Sequence, residues 1–258
     1  MRDRRPSLIS SPPERLKALR VATDARVALG RTGASPPTRA VQTFLLDHAQ
    51  ARQAVWRPLD IEKMERDLRA SGSDVVHVAS RAQDRADYLR RPDLGRALSD
   101  EGRLALDGQA KGADVALVIA DGLSATAVEM NAVPLATALL NSLASNGLTV
   151  APLTLATQAR VALADDVGAV LGAKVAVILI GERPGLSAAD SLGAYVTFRP
   201  ETGLPDSRRN CISNIRDGGV PPFEAAGKIM TLISAMCQQE TSGVTLVEFE
   251  RPLTALSD

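Results

Sequence analysis

Three short stretches hold the residue types that could bind or transform a ligand. In "VILIGERPGL", Glu182 and Arg183 follow Gly181 at the end of an apolar run. A carboxylate there accepts hydrogen bonds and a guanidinium donates them. An ion pair with a neighbour would account for the two charges equally well. "ADGLSAT" (120–126) and "NCISNIRDGG" (210–219) also join glycine to polar groups at turns. Glycine lets a ligand approach the backbone closely, although turns of any α/β protein carry Gly and Ser. Cys211 is a nucleophile only with a partner base, and none is apparent in sequence, so a buried, inert thiol is expected. The only histidines, His48 and His77, lack a second ligand at metal-site spacing and read as a helix-face and a strand residue. No G-x-G-x-x-G follows the first strand, and there is neither a phosphate-loop lysine nor a G-x-S-x-G elbow. No catalytic or metal-binding set emerges, and the residues suggest a binding domain.

The elements that must position these residues change character along the chain. Residues 1–13, with three prolines and three serines, read as a flexible lead. Residues 14–111 read as a mostly helical, arginine-rich region. It has helices from Glu14 to about Val27, over "RAVQTFLLDHAQARQAVW" with Thr38 as cap, and over "DIEKMERDLRAS". "DVVHVAS" is a short strand candidate within it. From about residue 112 to 258, apolar strands alternate with helices. "DVALVIADG", "LTVAPLTLA" and "KVAVILIG" are strands, with a helix from Ser124 to Gly147 that Pro134 should kink or divide. "SAADSLGAY" reads as a helix start, with Ser187 as cap and Asp190 three residues on. "YVTFR" and "CISNI" are short strands, and Pro222 opens a last long helix. Strands apolar throughout imply a parallel sheet covered on both faces. The fold class is therefore α/β, a doubly wound Rossmann-like sheet behind a mostly helical N-terminal region. Ligands of such sheets bind outside the carboxyl ends of the strands, where the three clusters fall.

Composition narrows the functions. Lysine plus arginine equals aspartate plus glutamate at 30 each, so nothing selects nucleic acid or an anionic membrane as partner. Aromatics make up 3%, too few for base-stacking platforms. No apolar run is long enough to span a bilayer. The basic "MRDRRPSLISSPPERLKALR" lacks the apolar core of a secretory signal, and two cysteines without an export signal suggest reduced thiols in the cytosol.

Longer motifs carry a resemblance. "GRTGASPPTRAVQTFLLDHAQAR", "YLRRPDLGRALS", "VIADGLSATAV", "ILIGERPGLSAADSLGAY" and "RNCISNIRDGGVPPFEAA" resemble the small (light) subunit of ethanolamine ammonia-lyase, in order, from about residue 20 to about residue 245. The resemblance implies adenosylcobalamin-dependent conversion of ethanolamine to acetaldehyde and ammonia. It implies a TIM-barrel large subunit as partner, which holds ethanolamine and most catalytic groups, while the small subunit closes over the cofactor. It carries cofactor contacts to Glu182 of "GERPGL", to Cys211 of "CISNI" and to Val161 of "ARVALADD". In that role Glu182 accepts hydrogen bonds, Val161 offers an apolar face or a backbone group, and Cys211 gives backbone contact and a small side chain. Neither histidine has the D-x-H-x-x-G spacing that replaces the cofactor's own base, so adenosylcobalamin is expected base-on. The expected location is the cytoplasm, free or within a bacterial microcompartment.

Two other readings remain open at this point. One is a stand-alone Rossmann-like module for a nucleotide or similar small ligand. The other is a cysteine hydrolase using Cys211, which lacks a histidine partner.

Overall fold

The structure, a computed structural model, describes residues 9–10, 14–23 and 25–246. The chain forms two compact units, residues 1–53 with 185–188 and residues 54–184 with 189–258. Most of the N-terminal lead and all of the tail "FERPLTALSD" lie outside the described residues.

In the first unit, β1 (Ile9–Ser10) pairs antiparallel with β2 (Arg31–Thr32). The expected helix over residues 14–27 is instead two single turns, α1 (Glu14–Lys17) and α2 (Leu19–Ala22). No residue of α2 is buried and no side chain caps its start, so nothing extends it. Arg20 Nε turns back to the Val27 carbonyl at 3.2 Å, beside Ala28 at φ 55°. The long helix α3 (Thr38–Trp56) takes Thr38 as its first residue rather than as its cap, and continues into the second unit.

The second unit is a mixed six-stranded sheet with helices on both faces. Its elements in chain order are α4 (Ile61–Ala70), β3 (Val75–Ala79), α5 (Arg85–Arg90), α6 (Pro92–Gly95), α7 (Asp100–Asp107), β4 (Val115–Ala120), α8 (Ala125–Ser145), β5 (Leu153–Thr157), α9 (Leu163–Leu171), β6 (Val175–Gly181), β7 (Leu192–Phe198), β8 (Asn210–Ile215) and α10 (Pro222–Gln239). Side-chain caps start four helices: Asp60, Asp84, Ser99 and Ser124 each accept from a backbone N–H three residues on. The strand order is β3-β5-β4-β6-β7-β8. Strands β3, β5, β4 and β6 are parallel, while β7 pairs antiparallel with both β6 and β8.

The core follows the strand period. On one face Leu117, Ile119, Val177, Leu179, Ala194 and Val196 meet α8 and α10. On the other, Ala116, Val118, Ala156 and Ala176 meet α7 and α9. Small strand residues let α9 come close; a Cβ on Gly168 would stand 2.5 Å from Pro200 and 3.1 Å from the Ala176 Cβ. α8 runs from Ala125 to Ser145 as one helix through Pro134, rather than as two abutting pieces. Among the described residues, no helix is long and apolar enough to cross a membrane.

One expectation fails in a way that matters for the site. Residues 187–195 form no helix, and Ser187 caps none. After Gly181 a ten-residue loop (Glu182–Ser191) returns the chain antiparallel into β7. A parallel crossover needs a dozen residues or more and usually a helix, and this loop is too short for one. Leu192, Ala194, Val196 and Phe198 point to the core at every second residue, and that burial outweighs the local Ser–Asp capping pattern.

Candidate functional site

β4 feeds α8 toward β5, whereas β6 feeds the loop toward β7, so chain direction diverges between adjacent β4 and β6. Ligands of open α/β sheets bind at the carboxyl ends of such a pair. A cavity of about 400 Å³ opens there, lined by Gly122, Leu123, Gly181, Glu182, Val161 and Tyr195 among others. The two glycines serve each other. Gly122, at φ +55°, would place a Cβ 2.2 Å from the Gly181 carbonyl oxygen. A Cβ on Gly181 would stand 2.2 Å from the Ser124 oxygen. Leu123 N–H donates to the Gly181 carbonyl at 2.8 Å. So these glycines let two strand ends approach closely, and their neighbours are the groups left facing the cavity.

Glu182 is half-buried on the cavity wall. Its Oε2 accepts from the Ser191 hydroxyl and from Asn214 N–H at 3.2 Å. Asn214 holds a left-handed backbone (φ 58°) that turns this amide toward the carboxylate. Oε1 has no partner among the described residues, and Gly193 leaves it room, since a Cβ there would stand 3.0 Å from it. Neither Glu182 nor Arg183 is in an ion pair among the described residues. The carboxylate is therefore oriented by neutral donors, with one oxygen free for a further donor.

Val161 is half-buried just ahead of α9 and lines this cavity. It also lines an adjoining hollow of about 370 Å³, bounded further by Pro92, Arg96, Tyr195 and Arg209. Cys211 does not border the cavity. It stands directly across from Tyr195 in the β7–β8 ladder, so the two side chains are neighbours on one face of the sheet. It is exposed, which corrects the expectation of a buried thiol. Desolvation pushes its thiol up, with Glu182 adding and Tyr195 opposing, so it is protonated at neutral pH. Tyr195 is likewise pushed up, mainly by desolvation and then by Cys211, and stays a neutral hydroxyl. Thus Val161 and Glu182 share one wall, and Tyr195 links them to Cys211. Tyr195 was missed in the sequence because it falls where the reading ends the helix start "SAADSLGAY" and begins the strand "YVTFR", which leaves its facing undefined.

A second set of groups buttresses the cavity. Tyr88 is buried, donates to the Ala159 carbonyl at 3.1 Å and is flanked by two guanidiniums. Arg160 lies over its ring at 4.2 Å and Arg85 at 4.6 Å. Arg85 pairs with buried Asp121 at 3.2 Å, whose carboxylate also accepts from the amides of Gln158 and Ala159 at 3.0 and 3.1 Å. Burial pushes the Asp121 carboxyl up, and Arg85 and those amides oppose it. Arg209 is 3% exposed and pairs with Asp165 and Asp206. Arg160 differs from these: it donates from Nη2 to the Tyr88 carbonyl at 3.1 Å but has no carboxylate partner among the described residues, and its buried Nε–H is unbonded.

Both histidines stand where the sequence put them. His48 is on α3, stacked on Phe44 with ring centroids 6.1 Å apart, and His77 is on β3.

Comparison with known proteins adds to this geometry. A family model described as ethanolamine ammonia-lyase light chain matches residues 13–247. The chain is 48% identical over 250 residues to the ethanolamine ammonia-lyase small subunit of Azotobacter vinelandii, an alignment covering 95% of this chain and 91% of that one. It is 52% identical over 230 residues to the protein of the same name from Bradyrhizobium diazoefficiens, covering 88% of each.

Proposed function

The chain belongs to the ethanolamine ammonia-lyase light-chain family, and on that premise we propose that it is the cofactor-enclosing subunit of an adenosylcobalamin-dependent ethanolamine ammonia-lyase. Its partner on this reading is a TIM-barrel large subunit that binds ethanolamine. The observation that carries the reading is the free Oε1 of Glu182, held in place by Ser191 and Asn214 at the switch between β4 and β6. A corrin is fringed with carboxamides, whose N–H groups are neutral donors. A carboxylate oriented by neutral donors and free of any cation fits them.

When bound, adenosylcobalamin supplies the radical chemistry that converts ethanolamine to acetaldehyde and ammonia. This chain's residues bind and orient. Glu182 Oε1 accepts from an amide or hydroxyl of the cofactor. Val161 gives an apolar contact where the two hollows join. Tyr195 and Cys211 form a neutral row across β7 and β8, with no thiolate to attack the cofactor. His77 borders a different hollow, with Arg81 and Ser99. Among the described residues no histidine lines the candidate cavity, so this wall would offer the cofactor a hydrogen-bond acceptor and apolar contact rather than an imidazole, in keeping with the base-on expectation. The role is positioning and shielding, and the catalytic groups belong to the partner.

Co-expression with the large subunit tests this. The complex should deaminate ethanolamine when adenosylcobalamin is added, and each subunit alone should not. Cofactor binding by the lone chain as tight as by the complex would point instead to a stand-alone ligand module.

A further inference from the structure

Arg160 is the feature that the binding roles above leave unused. Its guanidinium lies on the border of both hollows. Three arginines around it are neutralised, Arg85 by Asp121, Arg96 by Asp206, and Arg209 by Asp165 and Asp206, while Arg183, also without an ion pair among the described residues, is exposed at the rim. Arg160 is held flat against Tyr88 at 4.2 Å, with Nη2 on the Tyr88 carbonyl, so its orientation is fixed. Its Nε–H is buried without a partner. A half-buried, oriented cation with an unmet donor favours an anion over a neutral amide, because only an anion also offsets the charge.

The backbone that follows adds two donors. The N–H groups of Leu163, Ala164 and Asp165 fold back onto the carbonyls of Arg160, Val161 and Ala162 at 3.0, 3.2 and 3.1 Å. Those of Val161 and Ala162 make no hydrogen bond among the described residues, and they sit at the positive end of the nine-residue helix α9. The two carboxylates in the first turn of α9 are engaged elsewhere. Asp165 pairs with Arg209 through Oδ2 while its Oδ1 is buried without a partner among the described residues, and Asp166 accepts from Leu98 N–H at 3.0 Å and from the Thr202 hydroxyl at 2.6 Å.

We propose that Arg160, with the amides of Val161 and Ala162, forms an anion subsite that takes the phosphodiester of the cofactor's nucleotide tail. This rests on the cofactor reading above and extends it. The phosphodiester is the one anionic group among the corrinoid's peripheral substituents; its other side chains end in neutral amides. The subsite places the tail at the start of α9, while Glu182, on the end of β6, faces the amide fringe.

The test compares cyanocobalamin with cyanocobinamide, which lacks the nucleotide tail and its phosphodiester. Equilibrium dialysis of the two-subunit complex, read by corrin absorbance, gives both affinities without turnover. Wild type should prefer cobalamin. Arg160→Gln should weaken cobalamin about tenfold or more and leave cobinamide nearly unchanged, so the preference narrows by that factor. Arg160→Lys, which keeps the charge but loses the fork, should fall between. Melting temperature of each complex separates loss of the Tyr88 contact from loss of the ligand contact. A preference that stays the same in Arg160→Gln overturns the subsite and leaves the cofactor reading standing. A wild-type complex that binds neither corrinoid overturns both.

Discussion

At the scale of single residues, Glu182 is the sharpest test. Glu182→Gln can keep its carbonyl oxygen toward Ser191 and Asn214, which places the new NH₂ where Oε1 now stands free. A donor then faces a donor. We expect adenosylcobalamin affinity of the complex to fall by roughly ten- to a hundredfold, with the melting temperature and the apparent affinity for ethanolamine little changed. Equilibrium dialysis on that complex measures it, and undiminished affinity would remove Glu182 from the site. Cys211 predicts the opposite pattern. Its thiol is neutral and only packs beside Tyr195, so Cys211→Ser should keep turnover within about tenfold of wild type. Abolished turnover with cofactor still bound would instead give the sulfur a chemical role. Glu182 was legible because a carboxylate after a wholly apolar strand needs a reason. Val161 and Cys211 came from the family motifs and not from their own chemistry. Arg160 gave no signal, because what sets it apart is the lack of a carboxylate neighbour, which only the folded arrangement shows.

At the scale of elements, the sheet separates ligand binding from anchoring. The candidate site occupies the carboxyl ends of the strands. At their amino ends, Asp114 ties three strands together. It accepts from Lys174 Nζ at 2.7 Å, just before β6, and from the Thr149 hydroxyl and amide at 2.7 and 2.9 Å, ahead of β5. The Lys174 hydrogen bond, then those of Thr149, hold the Asp114 carboxyl at about 2. In the unfolded chain it titrates near its ordinary value of about 3.9. A depressed folded-state value stabilises the fold above about pH 4, and the benefit fades as the pH falls toward 2. Lys174 is 66% exposed, so solvent screening reduces the effect to about 1–2 kcal/mol. Asp114→Asn should therefore lower the melting temperature at pH 7 by roughly 2–6 °C, with the difference shrinking steadily between pH 4 and pH 2. Cofactor affinity should not change. A melting difference that is independent of pH would show that packing, not charge, carries the contribution of Asp114. The parallel strands and long helices were legible because their apolar runs and caps agree. The antiparallel turn into β7 was not, because Ser187 and Asp190 imitate a helix start across the very residues where the two-residue alternation of Leu192, Ala194, Val196 and Phe198 begins.

At the scale of the whole molecule, the surface is unevenly apolar. Phe223, in the first turn of α10 just past the carboxyl end of β8, is 84% exposed, and Leu104 on α7 is 72% exposed. If the cofactor is enclosed between this chain and a barrel partner, one wall alone supplies only part of the contact. We expect the isolated chain to bind adenosylcobalamin weakly, at least tenfold more weakly than the complex. Titration of both preparations under the same conditions decides it, and equal affinities would place the whole site within this chain.

The reversal at β7 carries one more consequence. A sheet wound in both directions is a sandwich whose outer slices are helices, and each crossover lays down one slice. The short return between β6 and β7 lays down none, and Cys211, directly across from Tyr195 in the β7–β8 ladder, is left exposed. On the proposed reading, the corrinoid is the missing slice. The protein then finishes folding when it is loaded, as much as it is loaded after folding, and heat resistance becomes a property of how much cofactor the cell supplies.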